Sequence, residues 1–254
     1  MANKPLEEIA DKVYDDVVHP VVKPIGEILG LFPRTLKALT AGWDRWLINR
    51  EESLLLTAKA VEEKLENIPE EKICPPEPYI AIPAVQQLCY CQDSEELREM
   101  YANLLASSMN DDTKWKVHPS FVDIIKQLNP DEARLLRTMN NRMPCPLLDV
   151  RIVSPDAQYL TLVRNYTDQG ADVLECHKNI ASYIDNLTRL GLISVSGDSL
   201  ALQQRYDHSI ELCQSFHPVP PLTSDNWKRE YIKKLFSLTD FGVNFVEVVV
   251  KNSE

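Results

Sequence analysis

The sequence predicts a mainly α chain, an N-terminal helical domain followed by an α+β domain, and three observations carry that prediction. Proline outnumbers glycine, 17 to 7, which suits helices started and stopped by proline better than a glycine-rich barrel. Apolar residues recur at helical spacing through most of the first 140 positions. From about residue 145 the pattern shifts to short alternating stretches interleaved with helical ones.

Residues 13–39 repeat apolar groups at Val13, Val17, Val18, Val21, Ile25, Ile28, Leu29, Phe32, Leu36 and Leu39, interrupted by Pro20, Pro24 and Pro33. The expectation is a kinked amphipathic helical segment over 1–42. Next, residues 43–68 place Trp43, Trp46, Leu47, Leu54, Ala58, Val61, Leu65 and Ile68 on one stripe, the pattern of a long surface helix. The prolines at 69, 75, 76 and 78 then force an extended crossing. A short apolar helix is expected over 83–91. The run Asp93-Ser94-Glu95-Glu96 has the form of a capping box opening LREMYANLLASSM. His118-Pro119-Ser120 and Asn129-Pro130-Asp131-Glu132 repeat the logic, with proline at the first helical position and acids near the positive helix end. The helical domain therefore spans 43–128, and the last domain 129–254.

In that last domain 146–153 reads as a strand, 156–167 and 178–190 as helices, 192–195 and 229–238 as strands, and 239–250 as a capped terminal helix. Helix 178–190 buries Ile180, Ile184 and Leu187 and ends at Gly191. The pairing of LTRLGLIS with the downstream FSLTDFGVNFVEVV resembles winged-helix domains. In these a recognition helix ends in a Leu-Gly-Leu-Ile corner, two strands form the wing, and a Leu-Thr-x-x-Gly turn opens the last helix. The resemblance covers about 131–250 and implies a winged-helix-like module, a fold used both to read DNA and to dock proteins.

The stretch DSEELREMYANLLASSMNDDTKWKVHPSFVDIIKQLNPDEARLL (93–136) resembles a second family, the abortive-infection alpha proteins of bacteria. Asp93 to Met109, His118-Pro119-Ser120-Phe121 and Asn129-Pro130-Asp131-Glu132 carry that resemblance. It extends from about 45 to the C-terminus and leaves 1–42 outside. It implies a bacterial protein linked to phage defence, with no established catalytic residues to transfer.

Charge and composition narrow the function classes. The formal charge is −11, and residues 1–130 hold 14 basic and 22 acidic side chains against 13 and 16 in the remainder. Such a chain repels phosphate backbones unless a local basic patch prevails. The sequence start lacks the features of a secretory signal, and no stretch reaches about 18 uncharged apolar residues. A cytoplasmic location with six reduced cysteines is expected.

No glycine-rich phosphate loop occurs, so ATP hydrolysis is not expected. Cys213 and His217, with His208, Cys176 and His177, match no zinc signature. The paired glutamates at 51–52, 62–63, 70–71 and 95–96 diverge around a helix and read as solvated faces. The sequence thus predicts no catalytic residue, cofactor or metal. Contact with nucleic acid or a partner would fall to Lys178, Asn179, Ser182 and Arg189 on the expected recognition helix, and to the cluster Lys228, Arg229, Lys233 and Lys234. Asp185 sits among the first group, and 176–254 carries 8 basic and 9 acidic side chains, near neutrality for a DNA reader.

Three functions follow from this reading. The leading one is a non-enzymatic phage-defence protein acting through protein contacts or self-association, as sensor or effector. The second is a winged-helix DNA-binding transcriptional regulator. The third is a membrane-disrupting effector using residues 13–42, although the mixed charges there favour burial against the long helix.

Overall fold

The computed structural model describes residues 44–88, 91, 94–139, 143–197, 203–216 and 227–251. The expected kinked segment 1–42 lies outside them. The described residues form a mixed α+β structure of two compact units. The first holds residues up to Pro130 together with those from Glu247 onward, and the second holds Asp131–Val246.

The first unit is helical: α1 (Asp44–Leu65), α2 (Pro78–Leu88), α3 (Glu95–Ser108) and α4 (Ser120–Lys126). Its centre is α3, against which α1, α2 and α4 all pack. Met100, Tyr101, Ala102 and Leu104 of α3 are all but inaccessible, as are Leu65, Ala84, Leu88, Phe121 and Ile125 around them. The Tyr101 hydroxyl donates to the Val122 carbonyl at 3.1 Å, which satisfies the one polar atom of a fully buried ring. Lys64 reaches Glu99 at 2.5 Å.

Two helix starts differ from expectation in detail. Ser94, not Asp93, caps α3: its hydroxyl accepts from Leu97 N–H at 3.2 Å and lies 3.2 Å from the Glu96 carboxylate. The cap sits one residue later because a hydroxyl serves this position as well as a carboxylate. Helix α2 begins five residues earlier than expected and carries Pro83 in its interior. A proline there forfeits a hydrogen bond and costs about 3 kcal/mol. Burial of Ile80, Ala81, Ala84, Val85 and Leu88 offsets that loss, at roughly 1.5–3 kcal/mol per large aliphatic side chain. At α4 the His118 ring serves the helix start. Its Nδ1 accepts from Ser120 N–H at 3.2 Å and lies 2.6 Å from Ser120 Oγ.

The end of the chain returns to this unit. Asn103, buried on α3, donates from Nδ2 to the Val249 carbonyl at 2.8 Å, Ser107 donates to the Val248 carbonyl at 3.1 Å, and Lys116 pairs with Glu247 at 3.0 Å. These carbonyls belong to a π-helical turn, Val246–Val250, where side-chain donors from α3 supply partners at a helix end.

The second unit runs α5 (Pro130–Thr138), β1 (Cys145–Val153), β2 (Tyr159–Tyr166), α6 (Ile180–Arg189), β3 (Ile193–Ser196), α7 (Gln203–Phe216), β4 (Lys228–Leu238) and α8 (Asp240–Phe245). The strands form one antiparallel sheet in the order β2-β1-β4-β3. Residues 156–167, expected as a helix, are instead the turn and second strand of a hairpin. Tyr, Thr and Val favour the pleated surface, and a run this short is ambiguous by period alone. The turn is set by Ala157, at φ 60°, and by the Ser154 N–H donating to the Gln158 carbonyl at 2.8 Å. Helix α7 presents Tyr206, Ser209 and Cys213 inward at helical spacing. No helix of the described residues is long and apolar enough to cross a membrane.

The two motif halves LGLIS and LTDFG meet in space. Thr239 caps α8 by accepting from Gly242 N–H at 2.9 Å. It also donates its hydroxyl to the Gly191 carbonyl at 2.6 Å and its N–H to the Leu192 carbonyl at 3.0 Å. A Cβ on Gly242 would stand 1.9 Å from the Leu192 carbonyl oxygen, whereas one on Gly191 would meet nothing within 4 Å. The first glycine is therefore required by backbone contact, the second by its φ of +72°. Gly191→Ala is expected to cost about 1–2 kcal/mol from left-handed strain, and Gly242→Ala more than about 3 kcal/mol from backbone displacement. Urea unfolding of both variants checks this order; equal losses would contradict it.

Candidate interaction site

The residues expected to make contacts lie on α6 and β4, and the structure sorts them by what already holds them. Helix α6 buries Ile180, Tyr183, Ile184 and Leu187. Ser182, Asp185 and Arg189, spaced by three and four residues, share the opposite, exposed side, and Lys178, in the 3-10 turn before the helix, is exposed too. Asn179, directly before the helix, is exposed as well. The Arg189 guanidinium bonds the Asn186 side-chain carbonyl, Nη2 at 2.6 Å and Nε at 3.2 Å. Two polar neighbours turn inward instead. His177 is buried with Nε2 2.8 Å from the Thr167 carbonyl, and Asn186 donates to Glu132 at 2.8 Å.

The position of α6 is set by Asp131, in the first turn of α5. Its Oδ1 accepts from Glu175 N–H at 2.9 Å and Arg134 at 2.8 Å; its Oδ2 accepts from Cys176 N–H at 2.9 Å and the Tyr183 hydroxyl at 3.0 Å. Burial opposes ionisation of this carboxyl, but the two backbone donors, with Arg134 and Tyr183, outweigh it and hold Asp131 below the usual carboxylate range. Burial, then the bond to Asp131, pushes the Tyr183 hydroxyl up to about 12. Both Asp131 and Glu132 are buried, although their place at a helix start suggested only a favourable dipole contact.

The basic cluster on β4 does not act as one patch. Adjacent strand residues face opposite sides of a sheet, so Lys228 and Lys234 lie on one face and Arg229 and Lys233 on the other. Lys233 donates to Gln203 of α7 at 2.8 Å and lies over the Tyr206 ring at 5.4 Å. Lys234 is drawn between Asp149 and Asn165, 2.7 Å from an oxygen of each. Asp149 also accepts from Asn165 N–H at 2.9 Å, and Asn165 donates to Asp185 of α6 at 2.9 Å. One connected polar network thus joins β1, β2, β4 and α6. Arg229 is half-buried and Lys228 exposed.

The residues weighed for metal or nucleophilic chemistry are dispersed. Cys213 is buried, and burial pushes its thiol up to about 11, against a smaller opposing effect of Arg229. Burial likewise raises Cys145. A thiol held protonated is a poor nucleophile and a poor ligand. Cys176 and His208 are exposed, and His217 lies outside the described residues. Among the described residues no three His, Cys, Asp or Glu side chains are grouped to hold a metal ion.

A sequence profile for abortive infection alpha matches residues 49–249. The chain belongs to the abortive infection alpha family. That match takes in both units, including the α6 stripe and the whole four-stranded sheet. No curated protein matches the chain. Among solved structures, an uncharacterised protein from the hydrocarbon-degrading marine bacterium Alcanivorax borkumensis is similar at 19% identity, covering 56% of this chain and 96% of its own, with a TM-score of 0.33.

Two stability tests follow from the polar network. In Asp131→Asn one oxygen becomes an NH2 that faces a backbone N–H, so a loss of about 3 kcal/mol is expected. Because the folded pKa is depressed, this contribution is present above the unfolded carboxyl value, about 3.9, and fades as pH falls through the folded value. The difference between wild type and variant, by urea unfolding, should stay level between about pH 5 and 8 and shrink below about pH 4. Lys234→Met, which leaves Asp149 buried without its cation, is expected to cost about 3 kcal/mol, and Lys178→Ala less than about 0.5 kcal/mol. Similar losses in both would mean that Lys234 is not held as described.

Proposed function

We propose that this member of the abortive infection alpha family is a non-enzymatic phage-defence protein of the bacterial cytoplasm that works through protein contacts, as a sensor or an effector. Family membership over residues 49–249 is the observation that carries the defence role. The contact mechanism is supported by where the reactive groups are spent. Asp131, Asp149 and Lys234 are taken up in holding unit 2 together, and burial keeps the Cys213 thiol protonated. What α6 and the turn before it present outward, Lys178, Ser182, Asp185 and Arg189, is a short run of mixed charge. Such a run suits a protein partner better than a phosphate backbone, which calls for an excess of cations.

The element order also supports a winged-helix-like reading of unit 2, with α6 in the recognition-helix position and β3 and β4 as the wing strands. On this reading β2 is an addition at the sheet edge, and α7 replaces a short wing loop. The module then serves docking, with DNA reading as the competing use of the same helix.

Cells carrying the gene under its own operon should give fewer plaques with at least one of a diverse set of phages, and unchanged numbers with all of them would refute the defence role. Glu at both Lys178 and Arg189 should reduce protection without lowering the melting temperature. A salt-dependent shift of the upstream DNA by the wild-type chain, lost in that variant, would move the conclusion to the regulator.

A further inference from the structure

The turn Val246–Val250 is wound as a π-helix, a rare geometry that recurs at functional sites. From Glu247 onward it belongs to the first unit, although the chain has run through the whole second unit before reaching it. Its bonded partners there are 131 to 146 residues away, so tertiary contacts alone hold it. Val248, Val249 and Val250 are buried. Ser107 and Asn103 of α3 bond the carbonyls of Val248 and Val249, and Lys116 pairs with Glu247.

The closed turn carries two costs that disappear when it leaves α3. Asn103 is 4% exposed, and while its Nδ2 bonds Val249, its Oδ1 is buried and has no hydrogen-bond partner among the described residues. A buried acceptor without a partner has lost its water for nothing; once the turn opens, water reaches both atoms of the amide. The second cost is the π winding, which can return to α geometry when α3 no longer holds it. Against these stand the three buried valines and bonds of modest strength. The Lys116–Glu247 pair keeps 31% and 45% of its side-chain surface, and an ion pair so exposed contributes little. Helix α1, by contrast, holds to α3 through a whole apolar face that includes Ala58, Val61 and Leu65.

We propose that Glu247–Val250 is a strap that opens from α3 while the rest of the first unit stays folded. Opening uncovers Asn103 and Ser107, one helical turn apart on α3, together with the surface that the valines cover. The strap thereby decides whether this face of α3 is available. Its electrostatic latch is Lys116 against Glu247, and its release is favoured by hydration of the Asn103 amide. The inference goes beyond phage defence and does not rest on it, since the opening is measurable whether or not the gene protects cells.

Native-state hydrogen exchange of the full chain, read residue by residue by NMR, tests it, because exchange through a local opening reports the equilibrium of that opening. The backbone amides of the π turn should be protected at least about tenfold less than those of Tyr101, Ala102 and Leu104 in α3. Equal protection in the two sets means that they open only together, and overturns the strap. Asn103→Asp replaces the donor with an oxygen that faces the Val249 carbonyl. At about pH 8 it should lower protection in the turn by about a hundredfold, or abolish it, and leave the α3 set within about threefold. A similar loss in both sets, or none in either, overturns the proposal. Lys116→Glu is the milder variant, altering only an exposed pair. It should cost the turn about fivefold and α3 nothing, and adding Glu247→Lys should restore the turn. A loss shared with α3, or no restoration, counts against the strap equally.

Discussion

Lys234 arises in the middle of β4, and once its ammonium is drawn against the sheet it has to find anionic and polar acceptors, because an uncompensated charge there costs several kcal/mol. It finds Asp149 on β1 and Asn165 on β2, and Asn165 reaches Asp185 on α6. Three strands and the main helix of the unit are thereby held in one relative placement. Apolar packing between Leu147, Leu148, Val150, Ile184, Leu187 and Phe236 supplies burial but is tolerant of sliding, whereas a hydrogen-bonded charge is not. The network therefore specifies the arrangement that the core then stabilises.

Asp131 does for the helix pair what Lys234 does for the sheet. Its four donors come from a neighbouring turn of its own helix, from two consecutive backbone amides and from Tyr183 of α6. The amides at 175 and 176 lie in a connecting segment that has no ladder of its own, so the carboxylate supplies the acceptor that regular structure supplies elsewhere. These interactions confine the polar residues of α6 to a narrow outward stripe. The surface open to a partner is what remains after the interior has been satisfied.

Much of the first unit was legible in order of sequence. Local signals dominate there: a proline, Pro119, at the start of α4, a hydroxyl cap before Leu97, and an apolar stripe over Met100, Tyr101 and Leu104. Errors arose where burial overrode a local rule, as at Pro83. They also arose where two periods fit a short run equally, as at Tyr159–Tyr166. The four bases of β4 looked like one patch because they are close in sequence, yet the period of two in a strand already divides them between faces.

By itself the sequence determined the helical first unit, the family, the glycine corners at 191 and 242, and the absence of a phosphate-binding glycine loop. These depend on residues within a few positions of one another, where φ, capping and periodicity act. Only the tertiary structure decided that Asp131, Glu132, Asp149 and Lys234 are interior partners, that Lys178 and Arg189 stay on the surface, and that β2 is the outer strand of the sheet among the described residues. Apart from Arg134 to Asp131 on one helix, the bonds joining the interior partners span from 16 residues, Asn165 to Asp149, to more than 80, Lys234 to Asp149. A side chain's pattern in sequence carries its own preferences but not the identity of the group that folding brings against it.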